Sequence, residues 1–149
     1  MRAVVQRVRR AEVRVDGKVV GRIGPGLLVL VGIAKGDSPE TGKTLAEKIV
    51  HLRIFDDHEG RMNLDVREAG EAVFAVSEFT LYGDCRKGRR PNYTRAASPD
   101  DALPLYQGFV ESLKSLGVRV ETGEFRAMMD VDLLNDGPVT LLLDTDRTF

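Results

Sequence analysis

Few side chains in this 149-residue sequence suit nucleophilic or acid–base chemistry. The candidate nucleophiles are the hydroxyl groups of Ser77 and Thr80 and the thiol of Cys85. Covalent catalysis by serine or threonine needs an adjacent base that a third group orients. Of the two histidines, His51 falls on a predicted helix and His58 in an acidic turn, so neither is an obvious base. This composition favours a chemistry that does not depend on a catalytic triad.

Cysteine and metal chemistry are the alternatives. Cys85 adjoins two cations, which favour a reactive thiolate, but a solitary cysteine is more often incidental. It also excludes an internal disulfide and a cysteine-rich zinc site. His58 lies beside Asp56, Asp57 and Glu59, which together suggest metal ligands, although a solvated turn explains this segment better. We expect no metal and no cofactor.

Two segments have backbones suited to recognition. Gly137-Pro138 opens an apolar strand over 139–143. Glycine tolerates conformations that other residues avoid, and proline fixes φ, so the pair can hold two carbonyl groups in a fixed direction. A simple turn at the entry of a strand is the alternative. The second segment, Ser77-Glu78-Phe79-Thr80-Leu81, ends another apolar strand.

Apolar periodicity predicts the elements that position these segments. Alternation predicts strands over 2–8 and 11–15, and Asp16-Gly17 predicts a hairpin turn into a strand over 19–23. The apolar run 27–34 predicts a strand buried on both faces. The remaining predicted segments are a short strand or loop over 61–66, a strand over 72–79, a polar loop over 83–97, and strands over 118–121, 124–131 and 138–144.

Two helices begin at Ser-Pro pairs. Ser38 and Ser98 are the predicted N-caps, and the prolines that follow take the first helical positions. Gly117 is expected to end the second helix. The predicted inner faces are Leu45, Ile49 and Leu52 in the first helix, and Leu105, Phe109, Leu113 and Leu116 in the second. We therefore predict an α/β fold of one domain over 1–149, a mixed sheet with two main helices in the order β-β-(β-α)₂-β-β-β.

The formal net charge of −1 gives no global attraction to nucleic acid, so RNA contacts must come from a local patch. The loop after Leu81, here called the basic loop, provides such a patch, and Arg95 lies beyond this loop. No apolar run approaches the roughly 20 residues that span a bilayer, and arginines interrupt the N-terminus, so we expect a cytoplasmic protein without a signal peptide. The patch residues are Arg86, Lys87, Arg89 and Arg90.

The two motifs carry a family resemblance. Ser-Gln-Phe-Thr-Leu and Asn-x-Gly-Pro-Val-Thr are the paired signatures of the D-aminoacyl-tRNA deacylases, formerly D-tyrosyl-tRNA deacylases, which this sequence resembles from end to end. Residues 135–140 match the second signature fully, and Glu78 replaces the usual glutamine of the first. The opening 1–8, the Tyr82-Gly83-Asp84 continuation and the chain length also fit. The resemblance implies the barrel-like form of that family's sheet.

The resemblance implies a mechanism. Ser77, Glu78, Phe79 and Thr80 would lie at the scissile ester of D-aminoacyl-tRNA, with main-chain groups of Phe79 and Thr80 stabilising the oxyanion and the RNA 2′-hydroxyl assisting water. A direct role for the Thr80 side chain is the alternative. If residue 78 normally donates to RNA, glutamate weakens binding; if it faces the substrate ammonium, glutamate tightens it.

Chiral selection is implied to come from the partner subunit. In the family, a cis Gly-Pro pair enters the other subunit's active site, where its carbonyls hold the substrate amino group and leave no room for an L side chain. Here the pair is Gly137 and Pro138, steadied by Asn135 and Arg7. A homodimer with active sites at its interface follows. Glycyl-tRNA, including glycine mischarged on tRNA-Ala, is expected as a second substrate.

The family's adenosine pocket falls on Ala102, Phe125 and Met129, and the basic loop is expected to hold acceptor-stem phosphates. Two other functions fit the same resemblance. One is a non-catalytic module that binds the 3′ end of tRNA, which the intact strand end at 77–80 argues against and Glu78 leaves open. The other is an editing domain for L-aminoacyl-tRNA, which the Gly-Pro motif argues against.

Overall fold

A long first strand organises the sheet in the computed structural model, which describes residues 1–149. Strand β1 (Arg2–Val15) pairs along one edge with β8 (Asp130–Asp144). Its other edge pairs first with β3 (Gly26–Gly32) and then with β2 (Lys18–Ile23). The prediction of two strands over 2–8 and 11–15 is wrong, because pairing with β8 continues through Arg10 despite two register shifts.

The sheet is mixed and curls towards closure. Its order is β2-β1-β3-β6-β7, with β8 attached to β1. Strand β6 (Ala72–Ser77) is parallel to both β3 and β7 (Arg119–Thr122). The two ends of the order approach each other, because a Cβ atom built on Gly21 of β2 would lie 2.8 Å from the Thr122 carbonyl oxygen of β7. The predicted mixed, barrel-like sheet is confirmed.

A separate two-stranded ribbon, β4 (Phe55–Asp56) with β5 (Met62–Leu64), follows the first helix. Of the two alternatives predicted over 61–66, a short strand or a loop, the structure has a strand at Met62–Leu64. The ribbon ends before β6, so it adds two short elements to the predicted order.

The two helices begin where their sequences predict. Helix α1 (Pro39–Val50) has Ser38 as its N-cap, and the Ser38 hydroxyl accepts from the Thr41 N–H. Helix α2 (Pro99–Ser115) is capped in the same way by Ser98. Since a cap satisfies an N–H that lacks a helical acceptor, both starts are fixed locally. Gly117, at φ +87°, follows the end of α2 as predicted.

Apolar side chains form two cores, one on each face of the central strands. The larger core lies between the sheet and the helices and includes Val29, Ile49 and Phe109. The smaller core fills the inside of the curled sheet around Leu28 and Phe74. Because alternate residues of β3 enter different cores, the prediction that this strand is buried on both faces is confirmed.

Several predicted boundaries are wrong. Strand β6 stops at Ser77, and Phe79–Tyr82 form a single 3₁₀ turn instead of continuing the strand to residue 79. The chain closes with two strands rather than three, because 124–129 form a connection that turns at Phe125 and Arg126, and β8 runs unbroken from 130 to 144. Leu52 lies beyond the end of α1, although it still packs against the larger core.

Neither helix combines the length and the apolar character that crossing a membrane requires.

Candidate active site

An open cleft with a volume of about 750 Å³ lies where β6 ends, beside the start of α2 and the loop between β7 and β8. Both the motif segment Ser77–Thr80 and the three residues predicted for an adenosine pocket line it. Twelve of its 17 lining residues are hydrophobic, which suits a ligand with a flat apolar part. The lining comprises Ile33, Val76, Ser77, Glu78, Phe79, Thr80, Tyr93, Ala96, Ala97, Pro99, Ala102, Phe125, Arg126, Ala127, Met128, Met129 and Val131.

The motif segment leaves the sheet at this cleft. The Glu78 N–H donates to the Val31 carbonyl at 2.8 Å, which holds the segment against β3. Phe79 and Thr80 then begin the 3₁₀ turn, whose first N–H groups have no acceptor within the turn itself. Phe79 is exposed and meets the Tyr93 ring edge to face, with centroids 5.2 Å apart. The arrangement presents main-chain donors beside an aromatic wall.

The Thr80 hydroxyl has a carboxylate partner and no histidine partner. Its Oγ1–H donates to Glu78 Oε1, two residues earlier in the same turn. Glu78 is half-buried and Thr80 is exposed. The pair places one negative charge and one hydroxyl at the cleft wall, without a third group that would complete a charge-relay set.

The part of the cleft lining formed by Phe125 packs against Tyr106. The Tyr106 and Phe125 ring centroids are 5.7 Å apart, and the Tyr106 hydroxyl donates to the Ala75 carbonyl at 3.0 Å. Burial raises the pKa of Tyr106 to about 12, so the phenol keeps the proton that this hydrogen bond uses. Phe125 and Met129 both touch the apolar cores while facing the cleft.

Gly137 and Pro138 form a bulge in β8. Asn135 pairs with Val8 and Thr140 pairs with Gln6, so four residues of β8 face the single β1 residue Arg7. The Gly137–Pro138 peptide bond is cis. Both residues of the pair are exposed, so the bulge projects from the surface of the chain. β-Bulges are frequent beside active sites, where they redirect the backbone.

Arg7 and Asn135 hold the bulge from behind. The Asn135 side-chain amide donates to the carbonyls of Arg7 at 2.8 Å and Val139 at 3.0 Å. Arg7 is 8% exposed; its Nη1 donates to the Ile54 carbonyl at 2.6 Å, and its Nε lies 3.2 Å from an Asp136 carboxylate oxygen. The two residues predicted to steady the Gly-Pro pair are therefore in contact with its surroundings.

The bulge does not line the cleft of its own chain. Strands β1 and β3 separate β8 from β6 in the sheet, and Gly137 lies level with the start of β3, whereas Ser77 lies level with its end. Within one chain, the Gly137–Pro138 bulge and the Ser77–Thr80 segment are therefore apart from each other.

The basic loop contributes fewer free cations than its sequence suggests. Arg86 is engaged by Asp84, with Nη2 and Nε 2.6 Å and 2.9 Å from its carboxylate oxygens. The hydrogen bonds from Arg86 hold the pKa of Asp84 well below its usual range. Arg95 lies 3.6 Å from an Asp146 oxygen. Within this loop, the exposed cations left to meet an anion are Lys87, Arg89 and Arg90.

The histidines and the cysteine lie outside the cleft. His51 caps α1, where its Nδ1 lies 2.7 Å from the Glu47 carbonyl oxygen. His58 is exposed in the β4–β5 turn, and Asp57 accepts there from the N–H groups of Arg61 and Glu59. These backbone hydrogen bonds, that of Arg61 first, lower the pKa of Asp57. The acidic segment is thus a turn, as preferred from its sequence.

Sequence reasoning missed several cleft residues. Tyr93 lies in the segment described only as a polar loop, and Arg126 and Met128 lie between the two predicted adenosine residues. Their position beside Phe125 and Met129 is the one sequence feature that could have indicated Arg126 and Met128. The strand predicted over 124–131 hides this feature, because alternate side chains of a strand point to opposite faces.

Comparison with known proteins identifies the family. The family model for D-Tyr-tRNA(Tyr) deacylase matches residues 4–144. The chain belongs to this family. The D-Tyr-tRNA(Tyr) deacylase family was predicted from the two motifs, and that prediction is confirmed.

Relatives of this deacylase cover its whole length. A protein of Symbiobacterium thermophilum named D-aminoacyl-tRNA deacylase is 58% identical over 149 residues, which covers 100% of this chain and 99% of the relative. A solved structure of a c-Myc DNA Unwinding Element Binding Protein is 37% identical, with a TM-score of 0.92 over 97% of this chain and 98% of the other. A probable eukaryotic D-amino acid tRNA deacylase is 18% identical, with a TM-score of 0.81 over 95% and 97%, and shares the fold.

Proposed function

We propose that this protein hydrolyses the ester bond of D-aminoacyl-tRNA and releases the free D-amino acid and tRNA. The observation that carries this proposal is the shared cleft: in a member of the deacylase family, the motif segment Ser77–Thr80 and the wall formed by Ala102, Phe125 and Met129 face the same space. That space accommodates a nucleoside joined to an amino acid. We also propose that the protein acts in the cytoplasm.

The chemistry needs little from side chains. An aminoacyl ester is already activated, so orienting it and stabilising the developing oxyanion removes much of the barrier. Main-chain N–H groups of Phe79 and Thr80 would do this, and one such donor is worth about 2.7–4 kcal/mol in rate. The RNA 2′-hydroxyl would assist the attacking water. The lack of a histidine in the cleft supports this assignment over a triad.

The Gly137–Pro138 bulge is proposed to reject L-aminoacyl groups by entering the cleft of a partner subunit. Its exposure and its clamping by Arg7 and Asn135 support this role. A rigid wall where an L side chain would project discriminates against one enantiomer by exclusion. Glycine has no side chain to exclude, so glycyl-tRNA, including glycine mischarged on tRNA-Ala, is a second proposed substrate.

A homodimer with active sites at its interface is supported by the surface of β8. This 15-residue strand pairs only with β1, so its other edge is unpaired, and natural proteins seldom leave so long an edge free. Leu134 and Leu142 on the same strand are 47% and 59% exposed. A second copy would cover these groups and bring the bulge to another cleft.

The basic loop is proposed to contact acceptor-stem phosphates through Lys87, Arg89 and Arg90, with Arg86 contributing only when it leaves Asp84. Contacts of this kind give affinity and salt dependence without reading sequence.

The test is a comparison of D- and L-tyrosyl-tRNA hydrolysis by the purified protein. We expect kcat/KM for the D-isomer to exceed that for the L-isomer by more than about tenfold, because exclusion from a rigid site outweighs differences in side-chain burial. Glycyl-tRNA should also be hydrolysed. Equal rates for the two enantiomers would refute chiral selection. Binding without hydrolysis of any ester would indicate a tRNA-end binding module, and hydrolysis of the L-isomer alone would indicate an L-editing domain.

Thr80→Val tests main-chain catalysis. We expect kcat/KM for D-tyrosyl-tRNA to fall by no more than about tenfold, because the change removes one exposed hydrogen bond to Glu78 and leaves the main-chain donors in place. If the hydroxyl were the nucleophile, the loss would reach about 10⁴-fold or more. Thr80→Ser, which keeps the hydroxyl, is the matched control and should be nearly as active as the unchanged protein.

A further inference from the structure

The cleft contains only two charged side chains, Glu78 and Arg126, among its 17 lining residues. They belong to different segments, since Glu78 follows β6 and Arg126 lies between β7 and β8. No ion pair within 4.0 Å joins them or links Arg126 to any other acidic group of the chain. The cleft thus has a carboxylate at the motif segment and, in the loop between β7 and β8, a guanidinium without an ion-pair partner.

Arg126 is held at the cleft by an unusual turn. The Ala127 N–H donates to the Glu124 carbonyl at 3.2 Å, so Phe125 and Arg126 are the two central residues of a β-turn. Arg126 has φ +66° in that turn, at a position that favours glycine or asparagine over arginine. The same turn places Phe125 in the cleft wall. The aromatic ring and the guanidinium therefore reach the ligand from adjacent residues.

We propose that Arg126 binds the phosphodiester group on the 5′ side of the terminal nucleotide. This inference rests on the proposed function and on the adenosine pocket that the family resemblance implies at Phe125. A nucleotide bound there has one anionic group, its 5′ phosphodiester, close to the nucleoside. Guanidinium pairs with phosphate through two parallel hydrogen bonds, whereas the Glu78 carboxylate repels it. The two charges thus set the direction of the RNA end, with the phosphate at residue 126 and the ester towards residue 78.

The discriminating experiment compares two substrates that differ by this phosphate. D-tyrosyl-tRNA contains it, and 3′-O-D-tyrosyl-adenosine does not. For Arg126→Gln we expect KM for D-tyrosyl-tRNA to rise about tenfold with kcat within about twofold, since the lost contact positions the RNA and takes no part in the chemistry. The slope of log KM against log salt should fall by about 0.7, the value for one phosphate contact on a single strand. KM for 3′-O-D-tyrosyl-adenosine should be unchanged.

Two further variants distinguish the loss of a phosphate contact from a change in the structure of the turn. Arg126→Lys keeps the charge and loses the bidentate geometry, so its KM for D-tyrosyl-tRNA should lie between those of the unchanged protein and Arg126→Gln. Arg126→Gly removes the charge and suits the positive φ, so it should match Arg126→Gln in KM while keeping the turn. An unaltered KM for D-tyrosyl-tRNA in Arg126→Gly, or an equal rise in KM for the adenosine ester, would overturn the proposal.

A binding measurement separates this inference from the proposed function. Equilibrium binding of a CCA trinucleotide, compared with adenosine, needs no deacylation. We expect Arg126→Gln to weaken trinucleotide binding about tenfold and to leave adenosine binding unchanged. If the unchanged protein hydrolyses no aminoacyl-tRNA but shows this pattern, the proposed function fails and the phosphate site stands. If hydrolysis is present and trinucleotide binding is the same in both proteins, the phosphate site fails alone.

Discussion

Gly137→Ala is expected to lower kcat/KM for D-tyrosyl-tRNA by about 100-fold and to reduce the preference for the D-isomer. A Cβ atom at this position would lie 2.8 Å from Val139 Cγ2 and 3.2 Å from Arg7 Nη2, and the residue has φ +121°. Alanine therefore strains the backbone and displaces the bulge, whose carbonyls are proposed to hold the substrate amino group. Misplacing a positioning group by about 1 Å costs on the order of 10²-fold in rate. Single-turnover hydrolysis of both enantiomers measures the effect.

Gly17→Ala is the matched control. Gly17 also has positive φ, +75°, but nothing lies within 4 Å of a Cβ atom there, and it is an exposed turn residue between β1 and β2. Alanine in the left-handed region costs about 1–2 kcal/mol, so Gly17→Ala should lose stability while kcat/KM stays within about twofold. If both variants lost activity equally, the effect at Gly137 would reflect general destabilisation. Full activity with retained D-preference in Gly137→Ala would remove the bulge from the mechanism.

Local signals explain what the sequence predicted well. Ser38 and Ser98 each accept from an N–H of their own first turn, so these helix starts depend on residues within three positions of the cap. The apolar run of β3 is equally local, because every residue in it needs burial whatever its neighbours are. The Ser77–Thr80 motif lines the cleft because β6 ends at Ser77 and the chain leaves the sheet there.

A local turn and a tertiary pairing explain what the sequence predicted wrongly. Phe125, Ala127 and Met129 alternate with more exposed residues, a period that indicates a strand. The intervening Arg126 and Met128 line the cleft as well, because the chain turns at Phe125 and Arg126. The interruption at Gly137–Pro138 suggested the entry of a strand. Strand β1 instead pairs with β8 on both sides of the pair, so the interruption becomes a bulge within one strand. The pairing of β8 with β1 depends on residues that are more than 100 positions apart in the sequence.

The approach of Pro25-Gly26 to β6 is also a tertiary feature, and it yields the largest stability effect we expect. Gly26 pairs with Ala72 in the parallel β3–β6 ladder, and a Cβ atom on Gly26 would lie 2.0 Å from the Ala72 carbonyl oxygen. Since that atom belongs to the backbone of a buried strand, the ladder itself would have to move. Overpacking of a closely packed core costs about 1–3 kcal/mol and occasionally more. We therefore expect Gly26→Ala to lower the free energy of unfolding by about 3 kcal/mol.

Urea unfolding of Gly26→Ala and Gly24→Ala, monitored by circular dichroism, measures this effect against a control two residues away. Gly24 is exposed on the other side of Pro25, with no atom within 4 Å of a built Cβ, so its free energy of unfolding should stay within about 0.5 kcal/mol of that of the unchanged protein. Strand β3 carries the larger core on one face and the smaller core on the other. The loss of stability in Gly26→Ala should therefore lower the urea midpoint of a single cooperative unfolding transition. Equal midpoints for the two variants would mean that β3 and β6 do not meet so closely at Gly26, and the register that brings Ser77 level with Val31 would then need revision.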